Sequence, residues 1–240
     1  RRLRSQLETR YDITITDEKL RAAIRTMNQE RRLRRDLADL MRSDDPPLTG
    51  KTLLNLKSII SGNAADFEQY AQALTLLKTQ EDPDNGAKVR VLLTGVPVPH
   101  GAERVVDLIE DKDGLIVCME NCTGLKPILT DVDEHAHDPL EAIAAKYFQL
   151  PCSVMTKNDG RLELWRDLAK AYRPQCIIDL IWQACLTYDV EAQHIQQLAE
   201  KELGIPYLRV STDYSPSDSA RNALRIEALF ETVRSHAQGP

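Results

Sequence analysis

The sequence predicts an α/β fold, a doubly wound and mainly parallel sheet of four to five strands preceded by a helical segment. Three observations carry this. Residues 1–80 show helical spacing and no strand signal. After about residue 81, short apolar runs alternate with helical stretches. Each run is almost continuously apolar, as in strands covered on both faces. The chain thus divides into a helical segment over 1–80 and an α/β lobe over 81–240.

The elements follow in order. Thr16-Asp17-Glu18 offers a cap and first-turn acids, and Leu20, Ile24, Met27, Leu33, Leu37 and Leu40 recur at helical spacing to about Met41. Pro46-Pro47 ends that helix, because proline lacks the N–H and restricts its predecessor. A shorter helix is expected from Thr49 or Gly50 through residue 60, with a break at 61–63 and a further helix over 64–77. Arg31, Arg32, Arg34 and Arg35 interleave with apolar positions and read as a solvated face. The polar stretch 81–86 reads as a linker. Strands are then expected at 89–93, 115–119, 151–155, 176–182 and 207–211. Helices are expected at 104–109, 139–148, 161–172, 191–203 and 219–234. There is no fixed-period repeat.

Composition excludes some functions. The 240 residues are 42% hydrophobic and 28% charged, which suits a soluble globular protein. With 31 basic and 37 acidic side chains the net charge is −6, which argues against a general nucleic-acid binder. No apolar run reaches the roughly 20 residues of a membrane span, and no secretory leader pattern is visible. These features predict a cytoplasmic protein with no membrane or nucleic-acid partner. The opening Arg1-Arg2-Leu3-Arg4, already helical in pattern and without methionine, suggests a chain that continues upstream. Five cysteines in a chain this large point to a reducing compartment, with thiols kept for burial or for metal.

In an open parallel sheet the ligand site lies beyond the carboxyl ends of the strands. Cys122 follows the second expected strand, Cys152 lies in or at the end of the third, and Cys185 follows the fourth. Three strands therefore deliver a thiol to one edge. Such a set suits a soft metal or an iron–sulfur cluster. The competing reading is inert packing, the commoner fate of free cysteine. No CxxC pair is present, so a zinc ribbon is disfavoured. Cys118 and Cys176 fall in or at the start of strands and read as core. His100, Glu120 and Asp213 share the favourable edge and are candidate catalytic or supporting groups around a ligand. Asp189 and Glu191 read either as groups backing such a site or as helix-start acids. His135 and His137 lie in an acidic loop and read as solvated. Gly95 and Gly101 lack the spacing of a dinucleotide fingerprint, and no Ser–His–Asp or G-x-S-x-G arrangement appears. Ser215 and Ser217 read as a helix cap.

The strings RVLLTGVPVPHGAERVVDLIE, VCMENCTG, DPLEAIAAKYFQLPC, IIDLIWQACLTYDVEA and YLRVSTDYSPSDSARNALRIEALFE, in that order across 90–231, resemble the 2-hydroxyglutaryl-CoA dehydratase D-component (2-hydroxyacyl-CoA dehydratase) family. This C-terminal part carries the most specific motifs; ITDEKLRAAIRTMNQERRLRRDLADL and DPPLTG look like the family's middle segment. Within the family the chain resembles the double-cubane cluster protein branch. The resemblance implies two α/β lobes with a cluster between them, the first lobe not being among these residues. It implies an oxygen-sensitive four-iron or double-cubane iron–sulfur cofactor, with Cys122, Cys152 and Cys185 as this lobe's ligands. It implies electron transfer from an ATP-dependent iron–sulfur activase to a small molecule, or, in the dehydratases, ketyl-radical dehydration of a 2-hydroxyacyl-CoA thioester. A homodimer is implied for the double-cubane branch and a heterodimer for a dehydratase. A non-catalytic interaction module with structural cysteines is the reading from another class.

Overall fold

The structure, a computed structural model, describes residues 1–57, 62–80, 84–155 and 157–237. The helical segment holds α1 (Arg2–Tyr11), α2 (Asp17–Asp39), a 3₁₀ turn (Leu40–Arg42), α3 (Gly50–Lys57) and α4 (Ala64–Lys78). Thr16 caps α2 by accepting from the Lys19 N–H, and Asp17 and Glu18 occupy its first turn, as the sequence suggests. The expected continuation of α3 through residue 60, the break at Ser61 and residues 81–83 of the linker lie outside the described residues.

The lobe runs β1 (Val89–Gly95), α5 (Arg104–Glu110), β2 (Gly114–Met119), α6 (Pro139–Phe148), α7 (Asp159–Tyr172), β3 (Cys176–Trp182), α8 (Leu186–Gln197), β4 (Tyr207–Thr212) and α9 (Ser219–Ala237). The described strands form one parallel sheet in the order β2-β1-β3-β4. Alternate side chains divide between two cores. Val91, Leu93, Ile178 and Leu180 pack with Val106 and Ile109 of α5 and Ile226 and Phe230 of α9. Leu92, Val117 and Ile177 pack on the other face with Leu37 of α2, Trp165 and Leu168 of α7 and Ile195 of α8. Helices therefore cover both faces, which is why each strand lacks the polar alternation of a half-exposed sheet. The helical segment shares the second core, so it is packed on the lobe. Among the described residues no helix is long and apolar enough to cross a membrane.

Gly95 explains how β1 ends. Its φ is +96°, and a Cβ there would lie 1.9 Å from the Leu180 carbonyl oxygen. Only glycine permits that approach, which lets the next residue, Val96, donate its N–H to the same oxygen at 2.8 Å.

The structure corrects three expectations. Residues 151–155 form a turn, so the sheet has four strands in the described residues. The Cys152 N–H donates to the Leu150 carbonyl and that of Met155 to the Cys152 carbonyl, local bonds that leave no ladder to extend, and Val154 is exposed. Helix α8 begins at Leu186 rather than at 191, directly after Cys185. The arginines of α2 do not form a solvated face: Arg31 and Arg34 are buried, and Arg32 and Arg35 pair with Asp131. Arg32 and Arg35 meet the loop before α6. There, buried Asn28 donates to the Val132 carbonyl and to Glu134 and accepts from the Val132 N–H and from Arg31. Arg21 donates to the Ala136 and His137 carbonyls. His135 and His137 are themselves exposed on that loop, as expected.

Candidate functional site

Each loop at the carboxyl rim of the sheet is held by its own short-range bonds. After β2, the Glu120 N–H donates to the Leu93 carbonyl at 2.9 Å, carrying the ladder one residue further. Buried Asn121 then folds the chain back: its Oδ1 accepts from Thr123 Oγ1 at 2.9 Å and from the Gly124 N–H at 2.9 Å, and its Nδ2 donates to the Val96 carbonyl. This is the local competition with regular structure that short polar side chains exert. A Cβ on Gly124 would stand 2.0 Å from the Met119 carbonyl oxygen. Cys122 is exposed on this tight turn.

After β3, Ala184 adopts φ +67°, and the Cys185 N–H turns back to the Trp182 carbonyl at 3.0 Å. Cys185 therefore occupies the residue before α8. Its Sγ lies 3.8 Å from Thr187 Oγ1, and that hydroxyl lies 3.5 Å from Ser153 Oγ. The loop bearing Cys152 is thus brought beside the start of α8. Cys152 and Cys185 are half-buried. Cys118 and Cys176 are buried within β2 and β3, as expected of core positions, and burial pushes the Cys176 thiol far up.

A charge cluster lies beneath these loops. Glu120 is fully buried. It accepts from Thr94 Oγ1 at 2.5 Å and from Arg161 Nη2 at 3.2 Å, and its Oε1 lies 3.1 Å from Lys126 Nζ. Burial opposes its charge, but Arg161 and Lys126 outweigh burial and hold the carboxyl below the ordinary range. Arg161 also donates to Glu191 Oε2 at 3.2 Å. Tyr188 lies beneath both cations, with Arg161 Cζ 5.4 Å and Lys126 Nζ 5.7 Å from its ring centroid. Burial raises the Tyr188 phenol, and the neighbouring Cys122, Glu120 and Cys152 raise it further, so this one ring is within electrostatic reach of two rim cysteines. Asp179, the register partner of Thr94, is 1% exposed. Its Oδ2 accepts from the Tyr207 hydroxyl at 2.8 Å, while Oδ1 has no hydrogen-bond partner among the described residues. Burial pushes this carboxyl up to about 6.

The other edge candidates sit apart from this cluster. The His100 side chain is 93% exposed, with Nδ1 3.2 Å from Glu103 Oε1. Asp213 is exposed and caps the Ser215 N–H at 2.7 Å. Asp189 pairs with Arg209 on the surface, whereas Glu191 faces the cluster. Ser215 accepts from the Ser217 N–H, the capping role expected of it. Among the described residues, no three His, Cys, Asp or Glu side chains stand close enough to hold one metal ion.

Sequence reasoning overlooked Arg161, Lys126, Tyr188 and Asp179. Two signals were present. Arg161 lies in the first turn of a helix, where a cation opposes the helix dipole unless acids meet it. Asp179 interrupts the apolar run Ile177-Ile178-Asp179-Leu180-Ile181 of a central strand.

A profile of the family described as 2-hydroxyglutaryl-CoA dehydratase, D-component, matches residues 1–233, so the helical segment belongs to the match along with the C-terminal part. The chain is similar to YjiM of Escherichia coli (strain K12), a name that proposes a dehydratase subunit, with 33% identity over 241 residues. That similarity covers 97% of this chain and 62% of the relative's length. The chain therefore belongs to the 2-hydroxyglutaryl-CoA dehydratase D-component family.

Proposed function

We propose that this member of a dehydratase family serves iron–sulfur redox chemistry, with Cys122, Cys152 and Cys185 as the thiolate ligands this lobe contributes. The observation that carries the reading is the division of the five cysteines: two are sealed in strands, and three occur on rim loops above a buried charge cluster. A soft donor set of this kind suits iron–sulfur ligation. When bound, such a cluster supplies single electrons at low potential.

This chain's own residues then have distinct tasks. Asn121 and Gly124 fix the turn that presents Cys122. Thr187 sits against both Cys185 and the Cys152 loop. Glu120, whose carboxyl Arg161 and Lys126 hold below the ordinary range, sits fully buried under the rim. Of the edge candidates, Glu120 is the one placed to support the ligand loops, while His100 and Asp213 face solvent, where an incoming substrate or partner surface would meet them. Low-potential reduction of a small molecule, charged by an ATP-dependent activase in the cytoplasm, is the reading we favour. The alternative is dehydration of a 2-hydroxyacyl-CoA by a subunit working with a second subunit, for which the family description speaks and for which a ketyl radical would be the route.

Purification without oxygen, with iron analysis and electron-paramagnetic spectra, tests the cofactor. Iron bound by the wild type and lost from Cys122→Ser, Cys152→Ser and Cys185→Ser supports it; an iron-free wild type, or unchanged iron in all three variants, overturns it. Turnover of a 2-hydroxyacyl-CoA with the activase then selects the dehydratase reading, and its absence selects the reductase.

A further inference from the structure

The geometry points to Arg161 as the positioning residue that ties all three cysteine-bearing loops to one buried cation. Arg161 is 1% exposed and reaches in three directions. Its Nε and Nη2 meet the carboxylate of Glu120 at 3.4 and 3.2 Å, and Glu120 begins the turn that carries Cys122. Its Nη1 meets Glu191 Oε2 at 3.2 Å, in α8, the helix that directly follows Cys185. The same Glu191 oxygen accepts from Asn158 Nδ2 at 3.1 Å, and that amide also donates to the Cys152 carbonyl at 2.8 Å. From Arg161 there is thus a path of hydrogen bonds to the Cys122 turn, to the Cys152 loop and to the helix that follows Cys185.

Chemistry explains why arginine stands here. Its planar fork serves two carboxylates at once, whereas an ammonium is a point charge that cannot span both. A cation in the first turn of α7 opposes the helix dipole. That cost is offset by the acids on both sides and by the Tyr188 ring 5.4 Å from Cζ. The two acids come from different elements, one after β2 and one in α8, so the fork sets the distance between those elements. Lys126 lies against Glu120 and the Tyr188 ring and reaches one loop among the described residues. A buried ion cluster of this kind adds little net stability. Its effect is to fix geometry, and the geometry it fixes here is the spacing of three thiols. What those thiols hold rests on the function proposed above; the claim about Arg161 concerns the chain itself.

The test reads the rate of alkylation of each cysteine by iodoacetamide in iron-free protein, resolved by mass spectrometry. Cys118 and Cys176, buried in strands, are internal reporters of global loosening. Arg161→Gln is expected to change the rates at Cys122, Cys152 and Cys185 by about fivefold or more and to leave Cys118 and Cys176 unreactive. Arg161→Lys, which can meet Glu120 but cannot span to Glu191 as well, should bring the rate at Cys122 back toward wild type and not that at Cys152. Glu191→Gln, which weakens one arm, should alter Cys152 and spare Cys122. Rim rates within twofold of wild type in Arg161→Gln overturn the assignment. So does equal opening of rim and core thiols in both Arg161→Lys and Glu191→Gln, since that pattern is global destabilisation. A wild type that binds no iron defeats the cofactor reading, while the alkylation pattern still decides the role of Arg161.

Discussion

Two ionic networks join segments distant in sequence, and they differ in how far they lie from water. Under the rim, Glu120, Lys126 and Arg161 have side chains 0%, 2% and 1% exposed. Between α2 and the loop before α6, Arg32, Asp131 and Glu134 are 49%, 29% and 26% exposed. In the second network each charge keeps much of its hydration, so each pair contributes little and is screened by salt. In the first, desolvation consumes most of the attraction, yet removing one partner strands the others in a dry interior. The exposed seam fastens the helical segment to the lobe. The buried cluster determines where the rim loops stand. Similar residue types thus do different jobs, and burial decides which.

The comparison is tested most severely at Glu120. Glu120→Ala leaves Arg161 and Lys126 without their shared carboxylate and should lower stability by about 3–5 kcal/mol in urea unfolding. A loss below about 1 kcal/mol would show that the cluster relaxes or hydrates, and the contrast with the seam would collapse.

Asp179 gives the next effect. Burial raises its folded pKa to about 6, above its unfolded value, so the protonated form is the one the fold prefers. Its contribution is fully present below about pH 4 and is lost as pH rises through about 6, roughly 2–3 kcal/mol in all. Asp179→Asn, which can still accept from Tyr207, should flatten the stability profile between pH 4 and 7 and raise stability at pH 7. Parallel profiles for the two proteins would contradict this.

Within the seam, Asn28 is buried and makes four hydrogen bonds. Asn28→Ala should cost about 2 kcal/mol, since it orphans a buried carbonyl and N–H of Val132. Arg32→Ala, on the exposed side of the same seam, should cost less than about 1 kcal/mol and less still in 1 M salt. Thermal melts of the two variants at low and high salt separate the cases; equal losses would mean that burial does not rank these contacts.

Much of the fold was legible because its strands are buried on both faces. Runs such as Val89–Gly95 and Cys176–Trp182 need no partner to be recognised. The segment at 151–155 misled for a physical reason: it contains apolar residues, but its backbone bonds close locally and Val154 meets solvent. The arginines of α2 misled in the opposite sense, since a helical charge run does not reveal that a polar loop a hundred residues away will cover it. The rule that ligands sit at the carboxyl edge of the sheet located Glu120 and the loops of Cys122 and Cys185, whereas it reached Cys152 through a strand at 151–155 that is in fact a turn. It did not reveal Arg161 or Lys126, whose importance comes from meeting Glu120 in space. Nor did it distinguish the cluster from His100 and Asp213, which share the edge but face outward.

The strand order has a consequence for how the chain matures. β1 pairs on one side with β2, which begins at Gly114, and on the other with β3, which begins at Cys176. During synthesis the first pairing can close early, while the opposite flank of β1 waits for more than half the lobe to emerge. Throughout that interval an apolar strand edge stands open, the kind of surface on which nascent chains associate with one another. Residues 176–182 therefore end that exposure as well as complete the sheet.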